Sequence, residues 1–164
     1  MRNRMALAFV VGLSLGCGSS SSKPLDFNGE YSGKSTNGVG TCPGPWNMGL
    51  VADGQVILTQ SGDDVQIVAQ GATSVVFVAT FGSVSFSGKL DGSHMSAAIV
   101  GSVMGNEGAC SFTWKGSVEA DLAGDTLSGT LTSTPNTNGN ADCDLLRVTG
   151  CKRVTSFSYT RLPR

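Results

Sequence analysis

With one histidine, two tryptophans, two tyrosines and charged side chains at only 14% of its positions, this 164-residue sequence is poor in the residues that most often carry chemistry. A single imidazole, His94, excludes zinc sites built on several histidines, and no C-x-x-C pair supplies the close ligand spacing such sites use. The near balance of 11 basic and 12 acidic residues excludes the strongly basic surfaces that bind nucleic acid. No apolar run reaches the ~18 residues of a membrane-spanning helix. Sustained helical periodicity is almost absent as well, which argues against a helical domain.

What is present begins at the N-terminus. Arg2 and Arg4 precede an uncharged apolar run over residues 5–16 (MALAFVVGLSLG). As a helix the run would rise only about 18 Å, against a hydrocarbon core of roughly 30 Å. It is too short to span a bilayer and suits the apolar region of a signal peptide. The run ends in Ser14-Leu15-Gly16-Cys17, followed by Gly18 and four serines, Ser19 to Ser22. This segment resembles the lipobox of bacterial lipoproteins, with Ser14 standing where Leu is commonest and Leu13 one step upstream. The resemblance implies removal of residues 1–16 and acylation of Cys17, palmitate included. It also implies lipid anchorage in the bacterial cell envelope, with the outer membrane as the expected site and the acyl chains as the membrane contact. Residues 17–25 then form a flexible Gly/Ser tether, and residues 26–164 a single domain.

Removal of the leader takes Arg2 and Arg4 with it, leaving nine basic residues against twelve acidic ones, a net charge of −3. Setting Cys17 aside leaves Cys42, Cys110, Cys143 and Cys151, an even number suited to two disulfides in an oxidising compartment. Residues 136–144 read as a loop and Gly150 as a bend. The eight-residue step from Cys143 to Cys151 can therefore turn back to within the roughly 4.4–6.8 Å between Cα atoms that a bridge needs. Pairing Cys143 with Cys151 leaves Cys42 to meet Cys110. A meander also allows Cys110 to lie beside either late cysteine.

Period-two alternation recurs along the chain. Phe112, Trp114, Gly116, Val118, Ala120 and Leu122 share one face, with Lys115, Ser117, Glu119 and Asp121 opposite. Val84, Phe86, Gly88 and Leu90 repeat the pattern against Ser83, Ser85, Ser87 and Lys89. Further strands are expected over 29–34, 51–60, 65–69, 74–81, 94–103, 126–134 and 154–162. The links Ser61-Gly62-Asp63-Asp64, Gln70-Gly71, Asp91-Gly92 and Ala123-Gly124-Asp125 have tight-turn chemistry. Links this short join antiparallel neighbours. The fold class is therefore all-β: an antiparallel meander of about eight or nine strands, closed or nearly closed into a small barrel, with a β-sandwich as the alternative. Gly33, Gly88, Gly116 and Gly129, inside strands, suit the bends of a barrel wall. In strand count and turn spacing the domain resembles the calycin-type barrels. Their Gly-x-Trp signature is absent, since the comparable segment reads Gly29-Glu30-Tyr31, and no binding residues carry over.

Catalytic candidates are few. Gly12-Leu13-Ser14-Leu15-Gly16 matches a hydrolase elbow but lies in the leader. The segment Gly29 to Ser35 is one residue short of a phosphate loop and falls in an expected strand. His94 follows the Asp91-Gly92 turn, where a solvated polar residue is ordinary. Asp53, Asp63, Asp64, Asp91 and Asp125 read as turn formers. Neither a catalytic set nor a cofactor or metal site emerges. Two weaker features point to binding. Trp46, beside Cys42, is expected either to plug a barrel end or to contact a ligand, with the plug favoured. Arg147, Lys152, Arg153, Arg161 and Arg164 lie within the last eighteen residues with no acid among them, which suggests a basic edge for anionic headgroups or an acidic partner. The favoured function is a non-catalytic envelope lipoprotein binding a small ligand, glycan or protein partner, without nucleic acid. A structural or interaction lipoprotein with a filled barrel is the alternative, and a carboxylate-dependent hydrolase the third class. A cavity of ~300 Å³ or more separates the first two.

Overall fold

The computed structural model describes residues 25–163; the leader, Cys17, most of the tether and Arg164 lie outside the described residues. Eight strands follow in order: β1 (Gly29–Gly40), β2 (Val51–Ser61), β3 (Asp64–Ala69), β4 (Ser85–Asp91), β5 (His94–Glu107), β6 (Cys110–Ala123), β7 (Thr126–Thr137) and β8 (Arg153–Arg161). Helix α1 (Gly71–Phe81) lies between β3 and β4, and the short α2 (Ala141–Leu145) between β7 and β8. Each strand pairs antiparallel with the next, and β1 pairs with β8, so the sheet closes on itself. The expected barrel is thus the fold, and the sandwich is not.

Alternation decides which side chains face inward. Val118, Ala120 and Leu122 of β6 are buried while Glu119 and Asp121 are exposed, and Val65, Ile67 and Ala69 of β3 repeat the pattern. The outer wall carries Lys, Glu, Asp, Ser and Thr, the reverse of a barrel whose outer face meets lipid. Glycines serve close approach where the wall bends. A side chain on Gly33 or Gly54 would overlap Tyr159, and one on Gly116 would press on Phe81 and Phe86.

The two ends differ. The end reached by the turns at Gly62, Gly92 and Gly124 is a sealed floor. Phe27 is fully buried there, its N–H donating to Gln60 Oε1 at 2.9 Å. Arg161 donates from Nε and Nη2 to the Tyr31 hydroxyl at 3.0 and 2.7 Å. The other end, the mouth, carries α1, α2 and both disulfides.

Two expectations are corrected. The segment over 74–81 is not a strand but most of α1. Its Val-Val-Phe-Val run has strand propensity, yet β3 and β4 pair directly, with Val65 opposite Gly88 and Ile67 opposite Phe86, so the wall has no place for another strand. The segment folds over the mouth instead, placing Phe77 and Phe81, four residues apart, on one helical face. The Gln70-Gly71 pair accordingly opens a helix rather than turning a hairpin. The helix stops at Gly82, in the left-handed region at φ 74°, whose N–H donates to the Val78 carbonyl at 2.8 Å.

The disulfides are Cys42–Cys151 and Cys110–Cys143, with Cα atoms 4.8 and 4.9 Å apart, in place of the expected Cys143 with Cys151 and Cys42 with Cys110. Closure of the barrel explains both. Because β1 lies beside β8, the chain leaving β1 meets the chain entering β8. Thr41 N–H donates to the Lys152 carbonyl at 2.8 Å, one residue from each cysteine. Because β6 lies beside β7, Asn138 N–H reaches the Ser111 carbonyl at 2.8 Å and the following α2 sets Cys143 against Cys110.

Candidate functional site

From the mouth downward the barrel encloses a cavity of about 350 Å³. Its deep wall is apolar: Val56, Ile67, Met95, Val118 and Leu127 project from β2, β3, β5, β6 and β7. Helix α1 roofs one side. Phe77 and Phe81 pack edge-on at 5.7 Å between centroids, and both lie against Phe86 of β4. Gly101 of β5 has no side chain to keep the end of α1 away, and a Cβ there would press on the Phe81 backbone.

The opposite wall, on β1, β7 and β8, is more polar. Ser35 and Asn37 of β1, Ser133 of β7 and Thr155 of β8 line it, with Arg153 at its upper end. Arg153 begins β8 opposite Ser133 on β7 and Gly40 on β1. Its guanidinium carbon lies 5.4 Å from the Trp46 ring centroid and 5.1 Å from that of Trp114, in the range of cation–π attraction. One terminal nitrogen, Nη2, donates to the Pro43 carbonyl at 2.8 Å. Nε is buried and has no hydrogen-bond partner among the described residues. No carboxylate of the described residues forms an ion pair with Arg153. Burial lowers its pKa from the ordinary value, but a guanidinium stays charged. Tyr159, lower on the same wall, stacks on Phe157 at 5.1 Å, and burial raises its pKa.

Trp46, expected either to plug the barrel or to touch a ligand, lines the cavity mouth. Its Nε1–H donates to the Gly38 carbonyl at 2.9 Å, and its ring lies so close over Gly40 that a methyl group there would overlap it. Among the described residues the expected basic edge is not gathered on one face. Arg147 and Lys152 are exposed at the mouth, Arg153 turns into the barrel, Arg161 seals the floor, and Arg164 lies outside the described residues. Alternation along β8 scatters them: odd positions face inward beside Phe157 and Tyr159. That parity would also have singled out Arg153, since a cation in register with inward aromatics is unusual. Trp114 stood on the inward face of β6 in the sequence pattern without being marked as a site residue.

His94 lies on the outer face of β5, its side chain on the opposite side of the wall from the cavity-lining Met95. Its Nδ1 is 3.1 Å from Asp121 Oδ1 and its Nε2 3.0 Å from Glu119 Oε2, and hydrogen bonds to these two carboxylates raise its pKa. Both imidazole nitrogens are engaged on an exposed wall, an arrangement suited to an ion-pair ladder. Among the described residues, no group of three or more His, Cys, Asp and Glu side chains is placed to hold a metal.

Apolar side chains are also exposed around the mouth. Met48, Leu50 and Val51 after β1, Val75 and Val76 on α1, and Met104 at the end of β5 are all exposed. No family model matches the chain, and neither a curated protein nor a solved structure matches it.

Proposed function

We propose that the protein is a non-catalytic, lipid-anchored envelope protein whose barrel takes up a small, mostly apolar molecule through its mouth. The observation that carries this reading is the cavity. Its volume of about 350 Å³ exceeds the ~300 Å³ at which ligand pockets begin, and its lining combines apolar side chains with a few convergent polar groups. A barrel serving only as a scaffold gains stability by filling such a space, because voids weaken packing.

The chain direction supports the anchor reading. β1 starts at the floor, so the segment from Cys17 joins the barrel at the end opposite the mouth. The eight steps from Cys17 to Leu25 span at most about 28 Å. An acylated Cys17 would hold the floor near the membrane and leave the mouth facing the surrounding fluid. The two disulfides agree with an oxidising compartment.

The neutral fluorophore N-phenyl-1-naphthylamine tests the reading. It is expected to bind saturably at one site per molecule, and to lose that site in Leu131→Trp, which fills the cavity, while the circular dichroism spectrum is kept. Equal binding by both proteins, or none by either, contradicts it.

A further inference from the structure

Resting on that reading, we propose that the molecule taken up is a single-chain amphiphile with an anionic head, its tail in the deep cavity and its carboxylate or phosphate on Arg153. The cavity has a polarity of its own. Arg153, Ser133, Asn37 and Thr155 stand at or just below the mouth, with Asn37 opposite Thr155 and Ser133 opposite Arg153 in register. Below them the lining turns apolar at Ile67, Met95 and Leu127. Leu127 pairs with Tyr159, six residues along β8 from Arg153, or about 20 Å at the usual rise of a strand. A head at Arg153 thus has an apolar channel beneath it.

Arg153 is built to receive an anion. Arg153 is half-buried, and a cation taken partly out of water without a counter-ion is costly; an orphaned buried donor adds to the cost. Its Nε is such a donor, and its charge meets no carboxylate among the described residues. Asp53, on the cavity rim, is engaged by Lys34 Nζ at 2.5 Å. The two indoles and the Pro43 carbonyl hold the guanidinium in place, so little ordering remains to be done when an anion arrives. A planar guanidinium offers paired donors to carboxylate and phosphate alike. A neutral hydroxyl head can accept from Nε but brings no counter-charge, and a cationic head would place like charge against Arg153.

Titration calorimetry at pH 8 with dodecanoate, dodecyl phosphate, 1-dodecanol and dodecyltrimethylammonium tests the assignment. Both anions are expected to bind about tenfold or more tightly than dodecanol, with the ammonium weakest, and the tighter anion identifies the head. In Arg153→Met the anions should fall to the level of dodecanol measured on the same variant; Arg153→Lys should keep part of the preference. A role for Arg153 confined to clamping the Pro43 loop would leave this charge selectivity untouched. Dodecanol binding as tightly as the anions, or an anion preference that survives Arg153→Met, overturns the head assignment and leaves the cavity reading standing. Absence of binding by all four overturns both. The four-probe comparison on the unaltered protein decides the matter even where a variant fails to fold.

Discussion

The Arg153 guanidinium carbon stands 5.1 Å from the Trp114 ring centroid, although their strands, β8 and β6, are separated in the wall by β7. The contact crosses the barrel interior, and Trp46 from the β1–β2 connection completes it from the other side at 5.4 Å. At a half-buried site each such cation–π contact contributes on the order of 1 kcal/mol. The mouth thus holds the guanidinium in place with one donor atom, Nε, unpaired among the described residues.

Phe81 is the keystone of the roof. It is 2% exposed and packs against Phe77 and Phe86. Phe81→Ala is expected to cost about 3–5 kcal/mol, by lost burial and the void left behind. Val75→Ala, at a position 69% exposed on the same helix, should change stability by no more than about 0.5 kcal/mol. Denaturant titration of the two variants checks the contrast, and equal losses would contradict the helix orientation.

Non-reducing peptide mapping is expected to recover Cys42 joined to Cys151 and Cys110 joined to Cys143. With sequence separations of 109 and 33, the loop-entropy relation assigns each bridge, taken in isolation, about 4.8 and about 3.7 kcal/mol. The paired change Cys42→Ser with Cys151→Ser should therefore lower the unfolding midpoint more than Cys110→Ser with Cys143→Ser. A peptide joining Cys143 to Cys151 would refute the seam geometry.

Much of the barrel was legible because alternation is a local property. Phe112 to Leu122 and Val84 to Leu90 declare their faces without reference to the rest of the chain. What was not legible depends on closure. The β1–β8 seam brings Cys42 to Cys151, and no local pattern announces it. The direct pairing of β3 with β4 turns the strand-like Val75-Val76-Phe77-Val78 into a helix, a tertiary override of propensity. Arg153 lay between these cases: its parity with Phe157 and Tyr159 was readable, but charge clustering at the C-terminus drew it into a surface patch.

His94 gives the fold a mild pH dependence. Hydrogen bonds to Asp121 and Glu119 raise its pKa above the unfolded value of about 6.5. A raised value means that the folded state binds the proton more tightly. The contribution is therefore full below about pH 6.5 and lost as pH rises through the folded value. Thermal melts of the unaltered protein and His94→Gln should differ at pH 6 and converge at pH 9. A difference that grows with pH would reverse the assignment.

The anchor makes its own prediction. If Cys17 carries the proposed acyl chains, Cys17→Ser in the full-length chain is expected to abolish acylation and processing and to remove partitioning into detergent. Normal processing and unchanged partitioning would contradict lipid attachment.

Methyl-detected nuclear magnetic resonance during titration with 1-dodecanol tests uptake into the barrel most directly. The methyl groups of Ile67, Met95, Val118 and Leu131 line the cavity, whereas those of Val75 and Val78 face outward on α1. The four interior signals are expected to shift together and saturate at one equivalent while Val75 and Val78 stay in place. Shifts confined to Val75 and Val78, or no saturable shift at the interior methyls, would contradict a ligand-binding barrel.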